Sequence, residues 1–205
     1  WQIDRGNEKS YIYNSYMSGL LEAPEHFNKL PDKPSQFTNV IIEKSIFSAL
    51  PGKHLLLDNK VFERKAGYEV LSPILIDNKI LLVNRGWVTN HDRQRLPNIL
   101  NLNNNNNLIG YVYYYGDAYE LEEQKYSSVF PIVIQSIEID EISNVLDAEV
   151  LPYILILSKS DNDNYTIQPK YKKNPELKHY MYAGQWFLFA IIGLVFMLIL
   201  LRRDK

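Results

Sequence analysis

The sequence predicts an α+β protein that is mainly β. We expect an antiparallel β-rich domain outside the membrane, which could close like a barrel, and then a C-terminal transmembrane helix. Short runs rich in Ile, Val and Leu follow one another with few helical segments between them, as in antiparallel sheets. Residues 180–201 then carry no charge. A chain of 205 residues has room for one domain and an appendage.

Composition excludes several classes of protein. Lys and Arg number 22 and Asp and Glu number 24, so the net charge is −2. A nucleic-acid-binding domain is expected to be strongly basic, and we therefore predict no nucleic-acid partner. The sequence has no cysteine, which excludes disulfides, thiolate metal sites and cysteine nucleophiles. Hydrophobic residues make up 46% of the chain, too many for a wholly disordered protein.

The domain is predicted to span residues 1–178. Residues 1–21 are expected to be helical, most clearly over 8–21, because Pro24 follows as a breaker. A short helix is predicted over 138–146 from the spacing of its apolar residues. Asp77-Asn78-Lys79 is predicted to be a hairpin turn. Strands are predicted over residues 37–43, 55–57, 68–71, 74–76, 80–83, 108–115, 132–135 and 153–158.

The uncharged segment 180–201 is interpreted as a transmembrane helix. At 1.5 Å per residue it is about 33 Å long, against about 30 Å of hydrocarbon. Tyr180, Tyr182 and Trp186 lie in its first two turns, where an aromatic belt forms. The basic tail 202–205 favours a cytoplasmic or matrix C-terminus, although four lysines before the helix nearly cancel this signal.

Motifs of known enzymes are missing from the sequence. It has no H-E-x-x-H, no G-x-S-x-G and no phosphate-binding glycine loop. His91 and Asp92 could form a base with its orienting carboxylate, but adjacent loop residues are better explained as a solvated turn. We therefore predict that the protein is not an enzyme, with a membrane-tethered enzyme that uses this pair as the remaining alternative.

His179 lies one residue before the uncharged segment. On a helical wheel it shares a face with Ala183, Trp186 and Ala190, so small residues lie below an imidazole. Small residues let another helix or a flat macrocycle approach closely, and imidazole is a common axial ligand of haem iron. Alternatively, His179 only anchors the end of the helix at the membrane interface.

Three blocks of the sequence resemble the surfeit-locus-one family, the assembly factors of cytochrome c oxidase. The first block is Trp1-Gln2 followed by Arg5 and Lys9. The second runs G-Y-E-V-L-S-P from Gly67 to Pro73 and then L-V-N-R-G-W-V from Leu82, which includes Arg85, Gly86 and Trp87. The third is H-Y-M-Y-A-G-Q-W-F from His179. The blocks occur in the family's order over nearly the whole chain.

The resemblance implies a function, a cofactor and partners. It implies a membrane-anchored factor that binds haem a, or supports its insertion, during assembly of the haem-bearing oxidase subunit. Haem a synthase is a further candidate partner, and membrane lipid surrounds the helix. The domain would lie on the periplasmic or intermembrane-space side of a bacterial or mitochondrial inner membrane. The family also has a first membrane helix before the W-Q run, so we expect such a helix upstream of Trp1.

The resemblance also assigns candidate site residues. His179 becomes the candidate iron ligand, with Tyr182 and Trp186 beside the haem, and Lys178 or Arg85 as partners of its propionates. For the block with Arg85 and Trp87, docking of a partner is one interpretation. The favoured one is structural, with Trp87 in the core and Arg85 on a buried carbonyl or carboxylate. Gly67, Pro73 and Gly86 are likewise interpreted as structural. A scaffold that binds no cofactor remains the alternative function.

Overall fold

The computed structural model describes residues 1–90, 95–103, 105–115, 127, 129–161 and 164–203. The predicted pair of His91 and Asp92 lies outside these residues. The chain divides into two compact units. One, which we call the helical unit, comprises Trp1–Ser18 and Pro169–Lys205, and the other, which we call the sheet unit, comprises Gly19–Gln168.

The described elements agree with the predicted mixture of strands and two long helices. Helix and strand contents are about equal over the chain, because the terminal helices are long, whereas the sheet unit is β-rich. The short strands β1 and β3 were not predicted. In order, the elements are α1 (Gln2–Leu21), β1 (Glu25–Phe27), β2 (Asn39–Ile42), β3 (Ser48–Ala49), β4 (Leu55–Phe62), β5 (Lys65–Ile76), β6 (Lys79–Thr89), β7 (Leu108–Tyr113), β8 (Ile132–Ile134), α2 (Ile139–Leu146), β9 (Val150–Leu157) and α3 (Leu177–Arg203).

The strands form one mixed sheet in the order β1-β2-β7-β9-β6-β5-β4-β8, and β3 pairs with β5. Antiparallel pairs are in the majority, as predicted. Three pairs are parallel: β1 with β2, β4 with β8, and β6 with β9. Among the described strands the path is open between β1 and β8, so hydrogen bonds do not close it into a full barrel.

The central hairpin is formed by β5 and β6. Its turn lies where the sequence predicts it, since Asp77 and Asn78 both have positive φ angles (48° and 63°), as a two-residue type I′ turn requires. The two strands predicted around Pro73 are one continuous strand, β5. The Pro73 carbonyl accepts a hydrogen bond from Leu50 N. The nitrogen of Pro73 therefore faces the gap in pairing along β5, between the residues that pair with β3 and those that pair with β4. A residue without N–H is tolerated at such an interruption.

The core of the sheet unit is apolar on both faces of the central strands. Almost every residue of β6 and β9 is buried, which explains their continuous Ile, Leu and Val runs. The main apolar cluster includes Val40, Ile74, Leu81, Val112 and Leu155, each at most 1% exposed. This closely packed sheet holds the turns and the bulge described below in place.

Helix α3 contains the segment that the sequence predicts to be transmembrane. It has 27 residues and a mean hydropathy of 2.4 over its most apolar window. Among the described residues it is the one helix long and apolar enough to cross a membrane. Most of its side chains are exposed, as expected for a helix that faces lipid.

Candidate functional site

Helix α1 packs against the start of α3 within the helical unit. The Tyr180 hydroxyl donates a 2.7 Å hydrogen bond to Asn7 Oδ1, and the Tyr180 ring lies directly on Gly6. Near the other end of α1, Tyr16 contacts Tyr171 edge to face at 5.4 Å between ring centroids. These contacts run in opposite directions along the chain, so α1 is antiparallel to the segment that leads into α3.

An open apolar groove of about 610 Å³ lies between the first turn of α1 and one face of α3. We call it the α1–α3 groove. Its volume falls within the range of about 300–1,000 Å³ that is typical of small-molecule sites. The helical-wheel face predicted for α3 supplies much of the groove. It is lined by Trp1, Gln2, Ile3, Ala183, Trp186, Phe187 and Ala190.

His179 lies one turn before Ala183 on the same face of α3. Its Nδ1 is 2.9 Å from Gln2 Oε1, a residue 177 positions earlier in the chain. Its other ring nitrogen, Nε2, is buried and has no hydrogen-bond partner among the described residues. Buried polar atoms are nearly always paired, so this bare nitrogen is an unusual feature of the site.

These features fit a haem. A buried imidazole nitrogen without a partner can coordinate a metal, and an apolar groove with small and aromatic side chains suits a macrocycle. Trp186 lines the groove, whereas Tyr182 lies outside its lining and is exposed. Lys178 is exposed next to His179, where its ammonium group remains available to an anion.

Arg85 lies at a β-bulge in the sheet unit. Glu69 of β5 pairs with Trp87 of β6, but Leu71 pairs with Asn84, so β6 contains one extra residue at this point. Gly86 takes a φ of +112°, and its N–H donates to Asn84 Oδ1 at 2.9 Å. A bulge changes the direction in which side chains point. The side chain of Arg85, which lies in this bulge, is 1% exposed.

The Arg85 guanidinium is fully engaged inside the sheet unit. Nε and Nη2 donate to the two carboxylate oxygens of Asp161 at 3.0 and 2.6 Å, a bidentate ion pair. Nη1 donates to Ser72 Oγ and to the Leu100 carbonyl, and the guanidinium carbon lies 4.9 Å from the centre of the Tyr165 ring. Arg85 thus binds a carboxylate and a carbonyl inside the sheet unit, as the structural interpretation predicts, and its burial does not favour pairing with a haem propionate.

His54 extends the same cluster, and sequence reasoning missed it. Its Nδ1 lies 3.0 Å from Ser72 Oγ and its Nε2 lies 3.2 Å from Asn101 Oδ1. Burial lowers the pKa of His54, so the neutral ring donates from Nε2 to Asn101 and accepts the Ser72 hydroxyl. The Gly52 N–H also donates to Asn101 Oδ1. Asn101, which precedes the Asn-rich run 103–107, thus holds a buried side chain.

Trp87 and Gly67 pack together across β5 and β6. The indole is 6% exposed, and its ring lies so close to Gly67 that a Cβ there would come within 2.5 Å of it. The indole N–H donates to the Lys60 carbonyl at 3.2 Å, and the Phe62 ring lies 5.5 Å away. These contacts place Trp87 in the interior of the sheet unit.

The sequence-predicted residues fall into two groups. His179, Tyr182 and Trp186 belong to the helical unit, whereas Gly67, Pro73, Arg85, Gly86 and Trp87 belong to the sheet unit. Gln2 and Phe187 were quoted only as parts of motifs, yet they line the groove. Gln2 lies on α1 and Phe187 on α3, and no periodicity in the sequence connects these two helices. Only the folded chain shows that both residues line one groove.

Comparison with family models gives a match over residues 1–191, to the model described as the SURF1 family. The matched range includes α1, the whole sheet unit and the first half of α3. Comparisons with curated proteins and with solved structures give no significant match.

Proposed function

The chain belongs to the SURF1 family, and from that premise we propose that it is a membrane-anchored assembly factor of cytochrome c oxidase that holds haem a in the α1–α3 groove. The haem is cargo for the haem-bearing subunit of the oxidase. The single observation that carries the proposal is the buried, unpartnered Nε2 of His179, one helical turn before Ala183, where the lining of the apolar groove begins on α3.

His179 is the residue that would hold the iron. Its Nδ1 is occupied by Gln2, so Nε2 is the nitrogen left for coordination. Ala183 and Ala190 leave room beside the helix, and Trp186 offers an aromatic surface to a flat ring. Lys178 could pair with a propionate at the aqueous boundary. A bound haem supplies the redox-active iron, and these side chains only bind and orient it.

The anchor and the partners follow from the same premise. One apolar helix, α3, could hold the chain in a membrane, and the family is membrane-associated. The partner proposed is the haem-bearing oxidase subunit during its assembly, with haem a synthase as the source of the cargo. The proposed location is the bacterial or mitochondrial inner membrane.

Complementation tests this function. In cells that lack the protein, we expect the wild-type chain to restore the haem a absorbance of the oxidase, and His179→Ala to leave it near the level of the deletion strain. His26→Ala is the matched control, because His26 is an exposed histidine of the sheet unit whose Nδ1 lies 3.1 Å from Glu43 Oε1. Full restoration by His179→Ala at equal protein level would contradict a role of the imidazole in haem delivery.

The side of the membrane can be tested separately. The sheet unit is proposed to face the periplasm or intermembrane space, since Arg202 and Arg203 lie in the last turn of α3 and favour a cytoplasmic or matrix C-terminus. Protease added to intact spheroplasts or mitoplasts should then digest the sheet unit. Protection of the sheet unit until the membrane is lysed would reverse this topology.

A further inference from the structure

Gln2 is in contact with the candidate iron ligand, and the function proposed above uses this contact only to note that Nδ1 is occupied. It is the first residue of α1, and His179 lies in the first turn of α3. The atom of Gln2 that faces the imidazole is Oε1, at 2.9 Å from Nδ1. An amide oxygen only accepts hydrogen bonds, so in the neutral ring the proton of this contact resides on Nδ1.

The position of the proton decides which nitrogen can bind a metal. A neutral imidazole has one N–H and one lone pair, and a metal needs the lone pair. With Nδ1 protonated, the lone pair lies on Nε2, the buried nitrogen that has no hydrogen-bond partner among the described residues. The contact with Gln2 indicates this tautomer, and the bare Nε2 is the nitrogen that the tautomer leaves with a lone pair.

Gln2 is held in place independently of His179. Tyr180, the residue after His179, donates to Asn7 at 2.7 Å and lies on Gly6, about one turn along α1 from Gln2. Gln2 and Ile3 of α1 also form one wall of the groove with Trp1. The amide oxygen is thus presented by a packed helix, as expected for a group that orients a ligand side chain.

We propose that Gln2 is a positioning residue that fixes His179 in the Nδ1–H tautomer and so keeps Nε2 available for haem iron. The proposal rests on the function proposed above, because it assigns His179 the same role. Ligating histidines usually donate their second N–H to such a partner, and removal of the partner typically weakens metal binding by about 10- to 100-fold.

The tautomer can be measured without haem. In the metal-free full chain, with ¹⁵N-labelled histidine, we expect the nitrogen shifts of His179 to report protonated Nδ1 and unprotonated Nε2. Gln2→Met keeps the length of the side chain and removes the acceptor, so the shifts should move toward the Nε2–H form that free histidine prefers. Identical shifts in wild type and Gln2→Met would overturn the proposal.

Haem binding provides the second measurement, with haemin titrated into the metal-free full chain. We expect Gln2→Met to bind about 10- to 100-fold more weakly than wild type. Gln2→Glu retains an acceptor, so it should retain tight binding and give a more negative reduction potential, because a carboxylate makes the imidazole more electron-rich. Asn7→Leu is the matched control, since it removes the hydrogen bond from Tyr180 one turn away and should leave affinity and potential near wild type.

The outcomes separate this inference from the function on which it rests. If His179→Ala binds haemin as well as wild type does, the proposed function fails. If His179→Ala loses haemin but Gln2→Met keeps wild-type affinity and potential, the function stands and the role of Gln2 is wrong. Equal weakening by Gln2→Met and Asn7→Leu would show that Gln2 only helps α1 pack, which also contradicts the proposal.

Discussion

Arg85→Met should lower the free energy of unfolding by about 3–5 kcal/mol, because it leaves a largely buried carboxylate without its partner. The side chain of Arg85 is 1% exposed and that of Asp161 is 18% exposed. The residual exposure of Asp161 lets some water reach the carboxylate and favours the lower end of this range. Met retains most of the aliphatic part of the side chain, so the decrease in unfolding free energy reports the loss of the charge and its hydrogen bonds. Urea unfolding of the detergent-solubilised chain, followed by intrinsic fluorescence, measures this decrease.

Lys79→Met provides the control for Arg85→Met. Lys79 forms a 2.8 Å ion pair with Glu149 on the surface, where such pairs contribute about 1 kcal/mol or less. The double variant Arg85→Met with Asp161→Leu should recover part of the loss, since it leaves no buried charge unpaired. If Arg85→Met is as mild as Lys79→Met and yet abolishes oxidase assembly, the guanidinium contacts a partner and the interior role assigned to it here is wrong.

Local sequence signals predicted most of the elements. Helix α1, helix α3 and the turn at Asp77 and Asn78 are confirmed. Each was predicted from a signal within a short segment: a helix-breaking proline after α1, an uncharged run in α3 and a turn-forming pair of residues. Strands β1 and β3 escaped prediction because they have three and two residues, too few to show alternation. The parallel pairing of strands was also not predicted, since pairing between strands distant in sequence leaves no local pattern.

The polar cluster around Arg85 shows a different limit. A buried partner for Arg85 was among the interpretations, but Asp161 lies 76 residues further along the chain and nothing in the sequence selects it. His54 and Asn101 likewise come together from positions 47 residues apart. The bulge at Gly86 depends on the register of two strands, which the sequence of one strand does not define.

The sequence predicted the part of the candidate site that lies on α3, but not its contact with α1. Helical periodicity grouped His179 with Ala183, Trp186 and Ala190, and the last three of these line the groove. Tyr182 was assigned to the same site, although the structure places it outside the lining. Gln2 could not be paired with His179, because their contact depends on the packing of α1 against α3.

Loss of haem from His179→Ala is the second large effect that we expect. The imidazole of His179, one turn before the groove lining begins at Ala183, has a buried nitrogen without a hydrogen-bond partner among the described residues. The residue lies outside the sheet unit, so its truncation should remove the proposed iron ligand without unfolding that unit. His179→Met should retain some haem with a changed spectrum and potential, because the axial ligand determines both.

The most direct test of the account is the haem content per mole of full chain purified from cells that make haem a. Wild type and the control His26→Ala should carry the pigment at equal levels, and His179→Ala, at matched expression, should carry little or none. An equal haem load with an identical spectrum in His179→Ala would contradict the account, and would leave His179 as an interfacial anchor in a scaffold that binds no cofactor.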